Sequence, residues 1–202
     1  MRVCTAFAMS LLVSTATYAA IIPGLWATGV DASGTVLPAG LSDPHWTVLE
    51  TGNPAVVTGQ LNPSWLGPNT TSNWIWQRQN GSPTNVNRTF RLQFSLDGLD
   101  PTSARISGRW SSDNSTIAIL INGVNSGVPQ NGPSAFSFYR PFTITSGFVP
   151  GLNTLDFVVN DFGQIAGLRV DQISGAANVP TPASALMLPI GALWACRRRR
   201  CA

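Results

Sequence analysis

Between Phe90 and Asp171 apolar residues recur at every second position in one run after another, and this period constrains the fold more than any other feature of the chain. In RTFRLQFSLDG, Phe90, Leu92, Phe94 and Leu96 share one side, and Thr89, Arg91, Gln93 and Ser95 share the other. Side chains alternate across a strand, so the run predicts a strand with one buried and one solvated face. ARISGRWSSD sets Ile106 and Trp110 against Arg105, Ser107 and Arg109 in the same way. SAFSFYRPFTITSG pairs Phe136 with Phe138 and Phe142 with Ile144, and GLNTLDFVVND sets Leu155, Phe157 and Val159 against Asp156 and Asn160. TIAILING is apolar on both faces, as a central strand would be, and ends in Asn122-Gly123, a pair favoured in tight hairpins.

Gly, Asn and Pro punctuate these runs every 8 to 12 residues or so, and no window of helical period competes with them outside the two ends. The expected fold is all-β: an antiparallel β-sandwich, jelly-roll-like, over residues 21–174. Long irregular loops are expected from Gly34 to Pro83, with DPHWT as a turn, and residues 175–182 read as a linker.

The chain carries a net charge of +3, but the charge sits at its ends. Between Ile21 and Asn178 seven arginines face nine acids, so no basic face is indicated and nucleic acid is excluded as a partner. The three cysteines are Cys4, Cys196 and Cys201, which leaves the body without disulfides, Cys-ligated zinc or a thiol nucleophile.

The ends read as addresses. In MRVCTAFAMSLLVSTATYAA a short positive start, Arg2, precedes an apolar run and then small residues, with Thr17 and Ala19 at the −3 and −1 places of a cleavage site. Residues 1–20 are the pattern of a secretory signal peptide, a helix removed on export. At the other end residues 183–196 carry no charge. As a helix they would cover about 21 Å, short of the roughly 30 Å hydrocarbon core, so they suit a transient transmembrane segment. Arg197, Arg198, Arg199 and Arg200 would hold residues 197–202 on the cytoplasmic side.

Val179-Pro180-Thr181-Pro182, an apolar segment and then an arginine cluster, in that order, resemble the PEP-CTERM sorting signal of Gram-negative envelope proteins. Thr181 stands where that family usually has Glu, and Cys201 and Ala202 follow the arginines. The resemblance implies an exosortase-like membrane protease as partner, a transient stay in the inner membrane, release to the cell surface or medium, and association with exopolysaccharide or biofilm matrix. SGRWSSDNSTIAILING and SGFVPGLNTLDFVVNDFGQIAGLRVD also resemble body domains of such proteins and the closing strands of galactose-binding-like jelly rolls.

Residues for catalysis are sparse. His45 is the single imidazole and no Gly-x-Ser-x-Gly elbow exists; Ser112-Asp113-Asn114 matches an element of penicillin-recognising enzymes, but the chain has no lysine to complete that site. The expectation is therefore a non-enzymatic protein without a cofactor. A structural calcium ion on Asp97, Asp100 or backbone carbonyls stays open, because hard oxygen ligands suffice for it. A glycan-active enzyme would need a carboxylate pair, nominally Asp97/Asp100 or Asp156/Asp161. The sharper alternative is a carbohydrate-binding module. NWIWQRQN places Trp74 and Trp76 on one face of a strand, two residues apart, a platform for sugar rings if that face is open and sandwich core if it is closed, with core favoured for at least one of the pair, and Arg109 and Asn114 complete the candidate site.

Overall fold

The computed structural model describes residues 18–180. The expected signal helix up to residue 17, residues 181–182 of the expected sorting motif, the expected membrane segment and the arginine cluster lie outside the described residues. Within them no helix is long and apolar enough to cross a membrane.

Eleven strands follow in order: β1 (Tyr18–Ile21), β2 (Ser42–Val48), β3 (Asn53–Val57), β4 (Ile75–Trp76), β5 (Asn87–Ser95), β6 (Arg105–Asp113), β7 (Ser115–Ile121), β8 (Val124–Asn125), β9 (Arg140–Ile144), β10 (Leu152–Asn160) and β11 (Gly167–Val179). Every pairing is antiparallel, along the path β8-β7-β10-β5-β2-β3-β4-β11-β6-β9, with β1 added to β11. The sheet folds over on itself, because Phe157 of β10 packs edge-on against Phe142 of β9 at 5.7 Å and lies 6.3 Å from Trp110 of β6, strands far from it along the path. The all-β antiparallel sandwich is thus the architecture.

The period-two runs supply the core as their alternation predicts. Phe90, Leu92, Phe94, Ile106, Trp110, Phe142, Ile144, Leu155, Phe157 and Val159 are all buried between the layers. Opposite them, on the outside of β5 and β10, Arg91 and Asp156 stand in register and form a two-point ion pair at 2.8 and 2.7 Å. Asn122 and Gly123, at φ 51° and 79°, close the β7–β8 hairpin; both angles are those a type I′ turn requires. Buried Asn153 explains the Gly-x-Asn-x-Leu turn that opens β10. Its amide donates to the carbonyls of Val149 and Gly151, while its oxygen accepts from Val149 N–H and from Asn122.

Five expectations are corrected. Gly34 to Pro83 holds three strands as well as loops. DPHWT lies in β2, where the Asp43 carboxylate accepts from the N–H groups of Gly29, His45 and Trp46 and draws the strand out of register between Ser42 and Thr47. A bulged strand tolerates Pro44, which is why the segment has turn composition. Phe136 sits in a 3-10 turn, Ala135–Ser137, and Phe138 is 43% exposed, so their alternation is not that of a strand. Strand β7, apolar on both faces, is covered on its outer edge by two-residue β8 alone rather than lying centrally. Strand β11 also continues through Gly175–Val179, where a linker is expected, because β1 pairs with it: Tyr18 opposes Val179 and Ile21 opposes Ala176.

Candidate functional site

Residues on β11 and β6 that alternate with the core point to the outside of the sandwich. Leu168 and Val170 are core, so Arg169 and Asp171 face outward; Trp110 is core, so Arg109 and Ser111 do the same. This face is covered in part by the long segment 58–74 that joins β3 to β4. Trp65 and Trp74 pack against each other at 4.5 Å over Gly167, where an added Cβ would lie 2.8 Å from Trp65 and 3.0 Å from Trp74.

Of the two readings open for Trp74 and Trp76, burial and not an exposed sugar platform is the one realised. Both rings are fully buried: Trp74 under the 58–74 segment, donating to the Leu66 carbonyl, and Trp76 in the sandwich core beside Phe90, donating to the Pro83 carbonyl. Their N–H groups find partners inside, which removes the penalty of burying them.

Beyond the Trp pair the outer face carries a polar and aromatic cluster. Arg109 donates from Nε and Nη2 to Asp171 Oδ2 at 3.0 and 2.6 Å, and its guanidinium lies 4.2 Å over the Tyr139 ring. Asp171 is fully buried and also accepts from Thr71 Oγ1 and Asn69 Nδ2. Asn69 Nδ2 reaches the Tyr139 hydroxyl as well, and Ser72 Oγ bonds to it. Beneath them Arg169, 1% exposed, donates to Ser72 Oγ and to the carbonyls of Leu66, Gly67 and Ser72. Burial raises Asp171, but the bonds from Arg109 and Thr71 outweigh it and hold the carboxyl below the usual carboxylate range. Burial pushes the Tyr139 phenol up and the Arg169 guanidinium down. Arg109, Tyr139, Asn69 and Thr71 reach the surface, and each is fixed by at least one bond behind it.

Asn114 belongs to a second cluster, in the turn from β6 to β7. Its Nδ2 donates to Asp113 Oδ1 at 2.9 Å and its Oδ1 accepts from Phe162 N–H at 2.7 Å. Trp65 Nε1 donates to the other Asp113 oxygen at 2.7 Å. Asp161 accepts from the N–H groups of Asn85 and Gly163. Arg109 and Asn114 thus serve different clusters, and Asn114 acts as a tie between loops.

Other expected carboxylates have local duties. Asp97 bonds to Ser95, Asp100 caps the 3-10 turn Pro101–Ser103, and Asp156 is held by Arg91. Among the described residues no group of three His, Cys, Asp or Glu side chains gathers as a metal site. Sequence reading missed Tyr139, Asn69 and Asp171. Tyr139 follows two phenylalanines in a run read as a strand from their alternation, and nothing in the order of residues joins segment 58–74 to β11.

No family model and no curated protein matches the chain. Among solved structures, a family 35 carbohydrate binding module from an environmental isolate is similar at 14% identity over 78% of this chain and 98% of that chain, with a TM-score of 0.37. A likeness at that level bears on neither ligand nor residues.

Proposed function

We propose that the chain is a non-enzymatic exported protein, sorted at its C-terminus by an exosortase-like protease and held at the bacterial surface, where its β-sandwich binds matrix polysaccharide through the outer face of β6 and β11. One observation carries the binding site: the Arg109 guanidinium lies 4.2 Å over the Tyr139 ring while two of its nitrogens are anchored on buried Asp171. A polar edge and an aromatic body, fixed in place before any ligand arrives, suit the hydroxyls and C–H faces of a sugar. Asn69 and Thr71 add short polar groups alongside. The non-catalytic reading draws on the carboxylates. Asp113 and Asp161, the two that sit near each other without a cation, are 6% and 1% exposed, beyond the reach of a polymer. The sorting reading draws on Val179 to Pro182 and Arg197 to Arg200 in the sequence.

Two measurements test these parts separately. Retardation in native gels containing neutral soluble polysaccharides should weaken at least about tenfold in a Tyr139→Leu, Asn69→Ala double variant that melts like wild type. Unchanged retardation would remove the face as the site. Mass spectrometry of surface-recovered protein should find a C-terminus near Pro180 to Pro182, whereas an intact Arg197–Ala202 end would leave a lasting anchor instead.

A further inference from the structure

Beyond β4 the chain makes a tight turn, Arg78–Gly81, closed by Gly81 N–H donating to the Arg78 carbonyl at 3.0 Å. The turn is pinned on three sides. Ala166 N–H donates to the Gly81 carbonyl, Trp76 Nε1 to the Pro83 carbonyl, and Ser82 N–H and Oγ to Asn80 Oδ1. Gly81, at φ 75°, has room for no Cβ, since one would lie 2.9 Å from Leu61 Cδ1 and 3.1 Å from the Ala166 nitrogen. Leu61 is thereby pressed against the turn, and between them opens a shallow depression of about 520 Å³ lined by Leu61, Arg78, Gln79 and Asn80.

The chemistry of the lining is one-sided. It holds a guanidinium, two amides and one apolar side chain, and no carboxylate. The ion pairs among the described residues are Arg91–Asp156 and Arg109–Asp171, so exposed Arg78 has no carboxylate partner within them. Ser82 occupies the acceptor end of Asn80, which leaves that side chain its donor end. A planar guanidinium fork matches a carboxylate at two points, and such charge-assisted pairs are roughly twice as strong as neutral hydrogen bonds.

We propose that this depression is a second saccharide site, distinct from the Tyr139 face, and that it takes a carboxylate-bearing sugar unit of an acidic polysaccharide. Arg78 meets the carboxylate, Gln79 and Asn80 meet neighbouring hydroxyls, and Leu61 lies under the sugar's C–H face. The class of polymer rests on the polysaccharide reading above; the second location and the demand for negative charge go beyond it.

The test uses protein recovered from the cell surface, with polygalacturonate and its carboxyl-reduced form as probes and titration calorimetry at low and high salt. Wild type should bind the uronate polymer about tenfold more tightly than the reduced one at low salt, and the margin should shrink as salt rises. Arg78→Gln, a surface change that should leave melting unaltered, should abolish the margin, and Arg78→Lys should keep part of it. The Tyr139→Leu, Asn69→Ala variant should weaken the reduced polymer while keeping the Arg78-dependent margin. An Arg78→Gln protein that retains the margin overturns the proposal, as does a wild type that binds both polymers equally, which leaves the Tyr139 face standing. Binding of neither polymer overturns the Arg78 site, while retardation by neutral polysaccharides decides the Tyr139 face on its own.

Discussion

Asp113 ends β6 almost fully buried, receiving hydrogen bonds from Trp65 and Asn114 and facing no cation. Burial, with the nearby Asp161 charge adding to it, pushes its carboxyl up from 3.8 to about 6 against the opposing Trp65 bond. A carboxyl raised on folding binds a proton more readily in the native state, so its contribution to stability falls as pH climbs from about 4 to about 6 and stays low above that. The difference amounts to about 3 kcal/mol. Asp113→Asn should abolish this fall: between pH 4 and pH 7.5 the variant should gain about 3 kcal/mol relative to wild type in urea denaturation. Parallel pH profiles for the two proteins would contradict the assignment. Asp171 has the opposite sign, since Arg109 holds it low and its contribution is lost on acidification. At this scale the sequence showed Arg109 on a solvent face but not its partner, because Asp171 is 62 residues away. Trp74 and Trp76 were visible as a pair, but which way each faces depends on what covers it.

Segment 58–74 packs over the outward side of strand β11. Alternation along β11 marks Leu168 and Val170 as inward, yet its outward side is also largely closed, since Trp65 and Trp74 cover Gly167 and Arg169 is buried beneath Leu66 and Gly67. The missing side chain at 167 is what lets the two indoles approach the strand. Gly167→Ala should cost about 2 kcal/mol by forcing the Trp65 ring off its seat. Gly163→Ala, where the nearest atoms to an added Cβ are 3.8 Å away, should change stability by less than about 0.5 kcal/mol. Equal losses in denaturant titrations of the two variants would contradict this docking. Strands β5, β6, β9 and β10 could be read from the sequence because the apolar residues of each recur at every second position, whatever later covers the other face. Strands β2 and β3 could not, since β2 carries Pro44 and a bulge and β3 carries Pro54, whereas β4 was legible in NWIWQRQN as a strand but is only two residues long.

For the whole molecule, the pairing of β1 with β11 brings the two ends of the described chain side by side, Tyr18 opposite Val179. The first residue of the sorting motif is therefore part of a strand, and the expected cleavage after Ala19 falls inside β1. Little apolar surface is buried there, as Tyr18 and Ile21 are 73% and 83% exposed, whereas the next residue, Ile22, is 2% exposed in the core. Removal of residues up to Ile21 should cost no more than about 1 kcal/mol, and removal up to Ile22 about 2 to 4 kcal/mol. A large loss on the first truncation, measured by thermal melting, would show β1 to be integral to the sandwich. The same logic separates what each level of description decides. By itself the sequence determined the strand-rich class and the inward set of the later strands, because a period of two is a local property that burial of one face imposes directly. It also held the ordered pattern of apolar and charged residues at the two ends, for the same local reason. Only the tertiary structure decided that the tryptophans are closed in, that Arg109 and Tyr139 meet over Asp171, and that the supposed linker is strand. Each of those depends on which distant segment comes to lie against a face, and the order of residues along a chain does not encode that contact locally.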